Sequence, residues 1–287
     1  MYNRLGPTVR ICFEYPKIKS HLNEHRHRFE TVLSGLSSNV LQGMIAGIFD
    51  IDKSDISLTI LLLKRLPGDD FSLPTVEIIT PTAEMAVCDQ LSKETRAEAA
   101  EPIRLYHSLA TIERSRRIAG VVYGMLVHEM LLRKNPTRLH LVPMVRRMPD
   151  ESGPGKKLPR WYSNHGGDTN AMPSFDIYRT GIEVFDPKDP IKNSVYYKLY
   201  QAAVDSFIMI GNQLYIFHFT IAAEHDINKG ILTLFSQASL PPRSNWHFVF
   251  VIPPNLSELP FSCPQGRDEM KEFLEEIHLY SMLGYLG

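Results

Sequence analysis

The chain has 287 residues, 44% hydrophobic and 22% charged, with a formal net charge of −1. That is ordinary globular composition, enough for one large domain or two smaller ones, and it excludes a global basic field for nucleic acid while leaving room for a local patch. The three cysteines, Cys12, Cys88 and Cys263, are far apart and show no metal-ligand spacing, so they read as free thiols of a reducing compartment.

In chain order, the first hundred residues read as mostly helical. Leu22, Phe29, Val32, Leu33, Leu36, Val40, Leu41, Met44 and Ile45 recur at helical spacing and predict one helix over Lys19 to Phe49. Ser54 to Leu66 is short and apolar, helix or strand. Pro67-Gly68-Asp69-Asp70 is a turn. Two more helices are expected at Thr82 to Leu91, capped by Thr82, and at Glu94 to Ile112. A helix over Ile118 to Arg133 follows, then a strand over Leu139 to Val145 and a loop from Met148 to Pro173. Strands recur at Ile182 to Phe185, Ala203 to Ile210 and Leu214 to Ala222. A helix over Asn228 to Leu240, a strand over Trp246 to Ile252 and a helix over Met270 to Leu283 close the chain. This order predicts an α/β fold with a mixed central sheet flanked by helices, at 113–287, behind a mainly helical region at 1–112.

The N-terminus lacks the apolar core of a secretory signal, and Ile118 to Leu132 is shorter than the ~20 residues that span a bilayer. The expectation is an intracellular protein without a membrane partner.

Chemistry concentrates in residues 204–230. Asp205 opens an apolar strand, where a carboxylate either caps a turn or ligates a hard divalent metal such as Mg²⁺. His218 and Thr220 are two apart on the next strand and share a face. A tight Gly211-Asn212 turn brings Asp205 or Ser206 within reach of His218 or Thr220. His218 is a poor ligand for Mg²⁺ but suits softer metals. Asp226 or Asn228 caps the helix that follows. Lys229, at the helix end that disfavours cations, is either solvated or offered to a phosphate or a metal-bound water. On the helix over Ile118 to Leu132, Glu129 points roughly 140° away from Gly124 and is a metal ligand or the ion-pair partner of Arg133. Arg146, Arg147, Lys156, Lys157 and Arg160, with Trp161 and Tyr162 beside them, form the most basic stretch, suited to a phosphate backbone or to a plain surface loop.

Several of these segments together resemble a known family. They are Arg116-Arg117-Ile118-Ala119-Gly120-Val121-Val122-Tyr123, His128, Asp205-Ser206-Phe207-Ile208, Phe217-His218-Phe219-Thr220 with His225, and Trp246-His247-Phe248-Val249-Phe250-Val251-Ile252-Pro253-Pro254. Over about residues 72–286 the chain is similar to the C-terminal part of crinkler effectors and the related retrotransposon hot spot proteins. The resemblance implies a restriction-endonuclease-like core, with residues 1–90 as the remnant of an upstream NTPase domain. It implies Asp205 as the retained catalytic position, with His218 beside it, Lys229 as a migrated lysine and Glu129, which faces elsewhere on its helix than the family's Glu, as the last of the catalytic candidates, and with Asp205 and His218 on Mg²⁺ where catalysis survives. The chain departs from the family pattern: Gly124 replaces a Glu, His218 a Gln or Glu, and Thr220 the Lys of active nucleases. The expected function is nuclease-like binding of nucleic acid or of a host protein, with weak or no catalysis. The alternative is an active Mg²⁺-dependent endonuclease. The implied location is intracellular, including the nucleus or a host nucleus.

Overall fold

The computed structural model describes residues 19–47, 60–64, 75–98, 100–131, 137–147, 160–163, 174–177, 182–184, 195–197, 204–235, 240–256, 261–264 and 269–284. They fall into two compact units, Met1–Leu126 and Val127–Gly287, so the division comes after Leu126 rather than near 112. No helix among the described residues is long and apolar enough to cross a membrane.

In the first unit, helices α1 (Lys19–Ser34) and α2 (Ser38–Gly47) replace the single helix expected there. Apolar spacing continues across the break, but side-chain hydrogen bonds, one local and two long-range, override it. The Val40 amide donates to Ser37 Oγ at 3.3 Å. Ser38 gives its amide and hydroxyl to the Glu94 carboxylate at 2.9 and 2.7 Å. Together these satisfy a new helix start. The ambiguous apolar run settles as strand β1 (Leu61–Lys64), paired antiparallel with β2 (Thr75–Ile78). The Pro67–Asp70 turn lies outside the described residues. Helix α3 (Pro81–Ala97) is capped by Thr80, not Thr82: Thr80 Oγ1 accepts from the Ala83 amide at 3.1 Å and Pro81 occupies the first helical position. Helix α4 (Ala100–Ala110) and the start of α5 (Arg116–Leu131) bury Leu105, Tyr106, Leu109, Ile118, Val122 and Tyr123.

The second unit is built on strands. The expected strand over Leu139 to Val145 breaks into three: β3 (Thr137–His140), β4 (Val142–Pro143) and β5 (Val145–Arg147). Each pairs with a different partner. Pro143 carries no amide hydrogen to donate, so the ladder cannot run through it. The expected loop up to Pro173 contains β6 (Arg160–Ser163). Next come β7 (Ser174–Ile177), β8 (Ile182–Val184), β9 (Val195–Tyr197), β10 (Ser206–Ile210) and β11 (Gln213–Phe219). Helix α6 (Gly230–Leu234), β12 (Trp246–Ile252), β13 (Phe261–Pro264), helix α7 (Glu269–Glu276) and β14 (His278–Leu283) follow. The expected closing helix thus ends at Glu276. From His278 the buried residues Leu279 and Ser281 alternate with the more exposed His278 and Tyr280. The chain then follows the free edge of β12, whose backbone groups need partners.

Among the described residues, seven strands form one mixed sheet in the order β4-β14-β12-β11-β10-β9-β8. Strands β11, β12 and β14 are parallel, and β10 is antiparallel to both of its neighbours. One face carries Phe207, Leu214, Ile216, Trp246, Phe248, Phe250 and Leu279. Helices α6 and α7 cover it with Ile231, Leu234, Phe273 and Leu274. The other face buries Phe217, Val249 and Val251. A sheet covered on both sides explains why β12 reads as a continuous apolar run.

Strands β10 and β11 meet at a two-residue Gly211-Asn212 turn, with Ile210 opposite Gln213. Gly211 has φ +59°, a conformation that costs a side-chain-bearing residue roughly 1–2 kcal/mol. A Cβ there meets no neighbour within 4 Å, so strain is the only penalty. Gly211→Val is therefore expected to lower stability by about 1–2 kcal/mol. Urea titration checks it, and an unchanged midpoint would show that the turn does not restrain the hairpin.

Candidate functional site

The hairpin pairing extends one step past Ser206–Phe217, where the Asp205 amide donates to the Phe217 carbonyl at 3.1 Å. Asp205 therefore stands opposite His218, at the end of the strand pair. Its Oδ2 accepts from the Phe219 amide at 2.7 Å and lies 3.0 Å from His218 Nδ1. That second approach is too bent for a hydrogen bond, so Nδ1 has a carboxylate neighbour but no aligned acceptor. His218 is buried, with its ring edge-on to Phe250 at 6.1 Å. Of the pairings the Gly-Asn turn allows, Asp205 or Ser206 with His218 or Thr220, the structure has Asp205 beside His218.

Thr220 does something else. Its Oγ1 accepts from the Ala222 amide at 3.1 Å, a side-chain turn that bends the chain back over the end of the strand. The bend delivers His225, which the sequence shows only as part of a polar turn. His225 Nε2 stands 3.3 Å from His218 Nε2, with ring centroids 4.4 Å apart and planes at 60°. On its other side, His225 Nδ1 lies 2.8 Å from the Asp226 carbonyl oxygen. A carbonyl can only accept, so Nδ1 carries the proton there. Burial pushes His225 below the ordinary histidine range, and the adjacent His218 ring adds to the shift. The Asp226 carbonyl, Asp205 and Asp226 act against it. No periodicity in the sequence marks His225, because its place depends on the Thr220 bend.

His128, near the end of α5, sets its ring edge-on to Phe219 at 5.5 Å. Burial lowers its pKa, opposed first by the charge of Asp205 and then by that of Glu129. Glu129 is half-buried beside His128, and its expected partner Arg133 lies outside the described residues. Lys229 is exposed just before α6, and no hydrogen bond or ion pair of its side chain is seen among the described residues. The adjacent cap is Asn228, whose Oδ1 accepts from the Gly230 amide at 2.8 Å. Of the four expected catalytic residues, the structure brings Asp205 and His218 into contact. Among the described residues, no group of three or more His, Cys, Asp or Glu side chains is placed to hold a metal ion. Cys263 is fully buried and its thiol is pushed up to about 12, mainly by burial, so it is protonated and unreactive near neutral pH.

The basic residues divide. Lys156 and Lys157 lie outside the described residues. Arg147 stands directly opposite Arg160 across β5 and β6, and Arg146 opposite Trp161. The Arg147 guanidinium sits over the Tyr162 ring at 5.7 Å. Arg160 is ion-paired with Glu224, and Arg146 with Glu275 at 3.2 Å.

No protein-family model matches the chain, and no curated protein or solved structure matches it either.

Proposed function

We propose that Val127–Gly287 is a nuclease-like domain of the crinkler type that binds nucleic acid and cleaves it weakly or not at all. The observation that carries the binding is the opposition of Arg147 and Arg160 on paired strands, beside Tyr162. Like charges directly opposite each other destabilise a strand pair unless an anion sits between them. Glu224 meets that need at Arg160 in the free protein, a phosphate in its place would serve both guanidinium groups, and the neighbouring ring suits an unstacked base. The carboxylates now paired to Arg160 and Arg146 are partly exposed. Such pairs are worth about 0–1 kcal/mol, so a phosphate displaces them at little cost.

The nuclease-like reading is supported by an acidic residue at the start of one strand, polar residues two apart on the next, and a helix leading to a parallel third strand. Weak catalysis follows from the donors. Mg²⁺ favours several oxygen ligands in near-octahedral geometry. Asp205 Oδ2 already receives the Phe219 amide, its cross-strand partner is an imidazole, and Thr220 Oγ1 is committed to the backbone. Those residues do not fit Mg²⁺, and no hydrolytic step is derived through it.

The test incubates the protein with single-stranded and supercoiled DNA and with RNA, in Mg²⁺ or Mn²⁺, beside Asp205→Ala and the double variant Arg147→Ala/Arg160→Ala. The expected result is binding that weakens roughly tenfold or more between 50 and 200 mM salt, is lost in the double variant and is unchanged in Asp205→Ala. Efficient cleavage that disappears in Asp205→Ala would establish an active nuclease instead. Absence of salt-dependent binding would remove nucleic acid as the partner.

A further inference from the structure

Each ring of the His218–His225 pair has an oxygen close to its outer nitrogen, aligned as a hydrogen bond at His225 and as a charged neighbour at His218. His225 Nδ1 donates to the Asp226 carbonyl, and the nearest charged oxygen to His218 Nδ1 is Asp205 Oδ2 at 3.0 Å. Protons on the two Nδ1 atoms leave two bare Nε2 lone pairs facing each other across 3.3 Å. Two lone pairs at that distance repel unless a proton or a metal ion lies between them, and the carboxylate 3.0 Å from His218 Nδ1 favours keeping that ring's proton on Nδ1 rather than between the rings. Two imidazole nitrogens bound to one tetrahedral zinc ion at about 2.1 Å stand about 3.4 Å apart. Ligating histidines also characteristically give their other ring N–H to a carboxylate or a backbone carbonyl, and here one ring has each.

We infer that His218 and His225 form a seat for a borderline divalent transition-metal ion, zinc foremost, held through their Nε2 atoms and oriented by Asp205 and the Asp226 carbonyl. The rings are tilted at 60° with centroids 4.4 Å apart, and rotation of half-buried His225 about χ2 sets how its Nε2 meets that of His218. That torsion has a broad energy well. The chain supplies two nitrogens, since no third His, Cys, Asp or Glu among the described residues joins them. Solvent or an anionic ligand completes the coordination. Imidazole donors select zinc, cobalt, nickel or copper over magnesium. The seat opens at the end of β11, beside half-exposed Asp205, where a bound ion remains accessible from solvent.

The test needs no nucleic acid, so it stands or falls apart from the binding reading above. Full-length protein freed of metal by chelation is titrated with Zn²⁺ by calorimetry and with Co²⁺ by visible absorption, beside His225→Gln, Asp205→Asn and His278→Gln. Circular dichroism shows that each variant is folded. The expected result is one saturable ion per chain, no competition from Mg²⁺, loss of binding in His225→Gln, and a roughly ten- to hundredfold weaker site in Asp205→Asn. His278→Gln should bind like the parent. No saturable binding, binding retained in His225→Gln, or binding lost instead in His278→Gln would each overturn the assignment.

Discussion

Phe250→Ala is expected to lower the stability of the sheet unit by about 3–5 kcal/mol. Phe250 is fully buried on β12, packed against Phe248 at a centroid distance of 5.0 Å and against the His218 ring. Truncation removes the transfer free energy of the ring and leaves a cavity. Central strands on both sides limit how far the surroundings can collapse into it. Both tryptophans, Trp161 and Trp246, lie in this unit, so their fluorescence during urea unfolding reports on it. A loss below about 1 kcal/mol would show that the sheet core is looser than its burial indicates. The same variant removes the wall behind His218, so surviving folded protein should also show a weakened His218–His225 site.

Acid is expected to destabilise the same unit well above the range where carboxylates titrate. Tyr215, His247 and His278 are in register across three parallel strands, and their rings stack at 4.6 and 5.2 Å. His247 Nε2 lies 2.6 Å from Gln213 Oε1. Burial, and then the neighbouring His278, push His247 down to about 4. The sign follows from linkage. Between about pH 6.5 and 4 the unfolded chain takes up a proton that the folded chain refuses, so stability is complete above about 6.5 and falls with pH. Half-buried His128 and His225 are shifted the same way and add to the slope. His247 alone accounts for about 1–2 kcal/mol, after roughly halving the full linkage value because the ring is only half-buried. Unfolding free energies measured from pH 7.5 to 4 should decline along this curve, and His247→Phe should flatten it. An equal slope in parent and variant would move the cause to other groups.

Much of the core was legible in the sequence. Trp246 to Ile252 reads as a buried strand because six of its seven residues are apolar or aromatic with no helical periodicity, and β12 has those bounds. The hairpin was legible because Gly211-Asn212 supplies the positive φ that a two-residue turn requires, and that turn sets Asp205 opposite His218. Other elements were hidden. His278 to Leu283 reads as the end of a helix until the free edge of β12 is present to pair with it. Ser38 and Glu94 break the N-terminal helix through bonds between residues far apart in sequence.

The candidate site divides along the same line. Local chemistry in the sequence determined the α/β character, the apolar central strands and the hairpin that brings Asp205 or Ser206 within reach of His218 or Thr220, because turn type and two-residue alternation are short-range properties. Only the tertiary structure decided that Thr220 spends its hydroxyl on the backbone, that His225 swings back to face His218, and that Arg147 meets Arg160. Each of those depends on where the chain goes after a bend or which strand lies alongside, and neither is written in the spacing of residues.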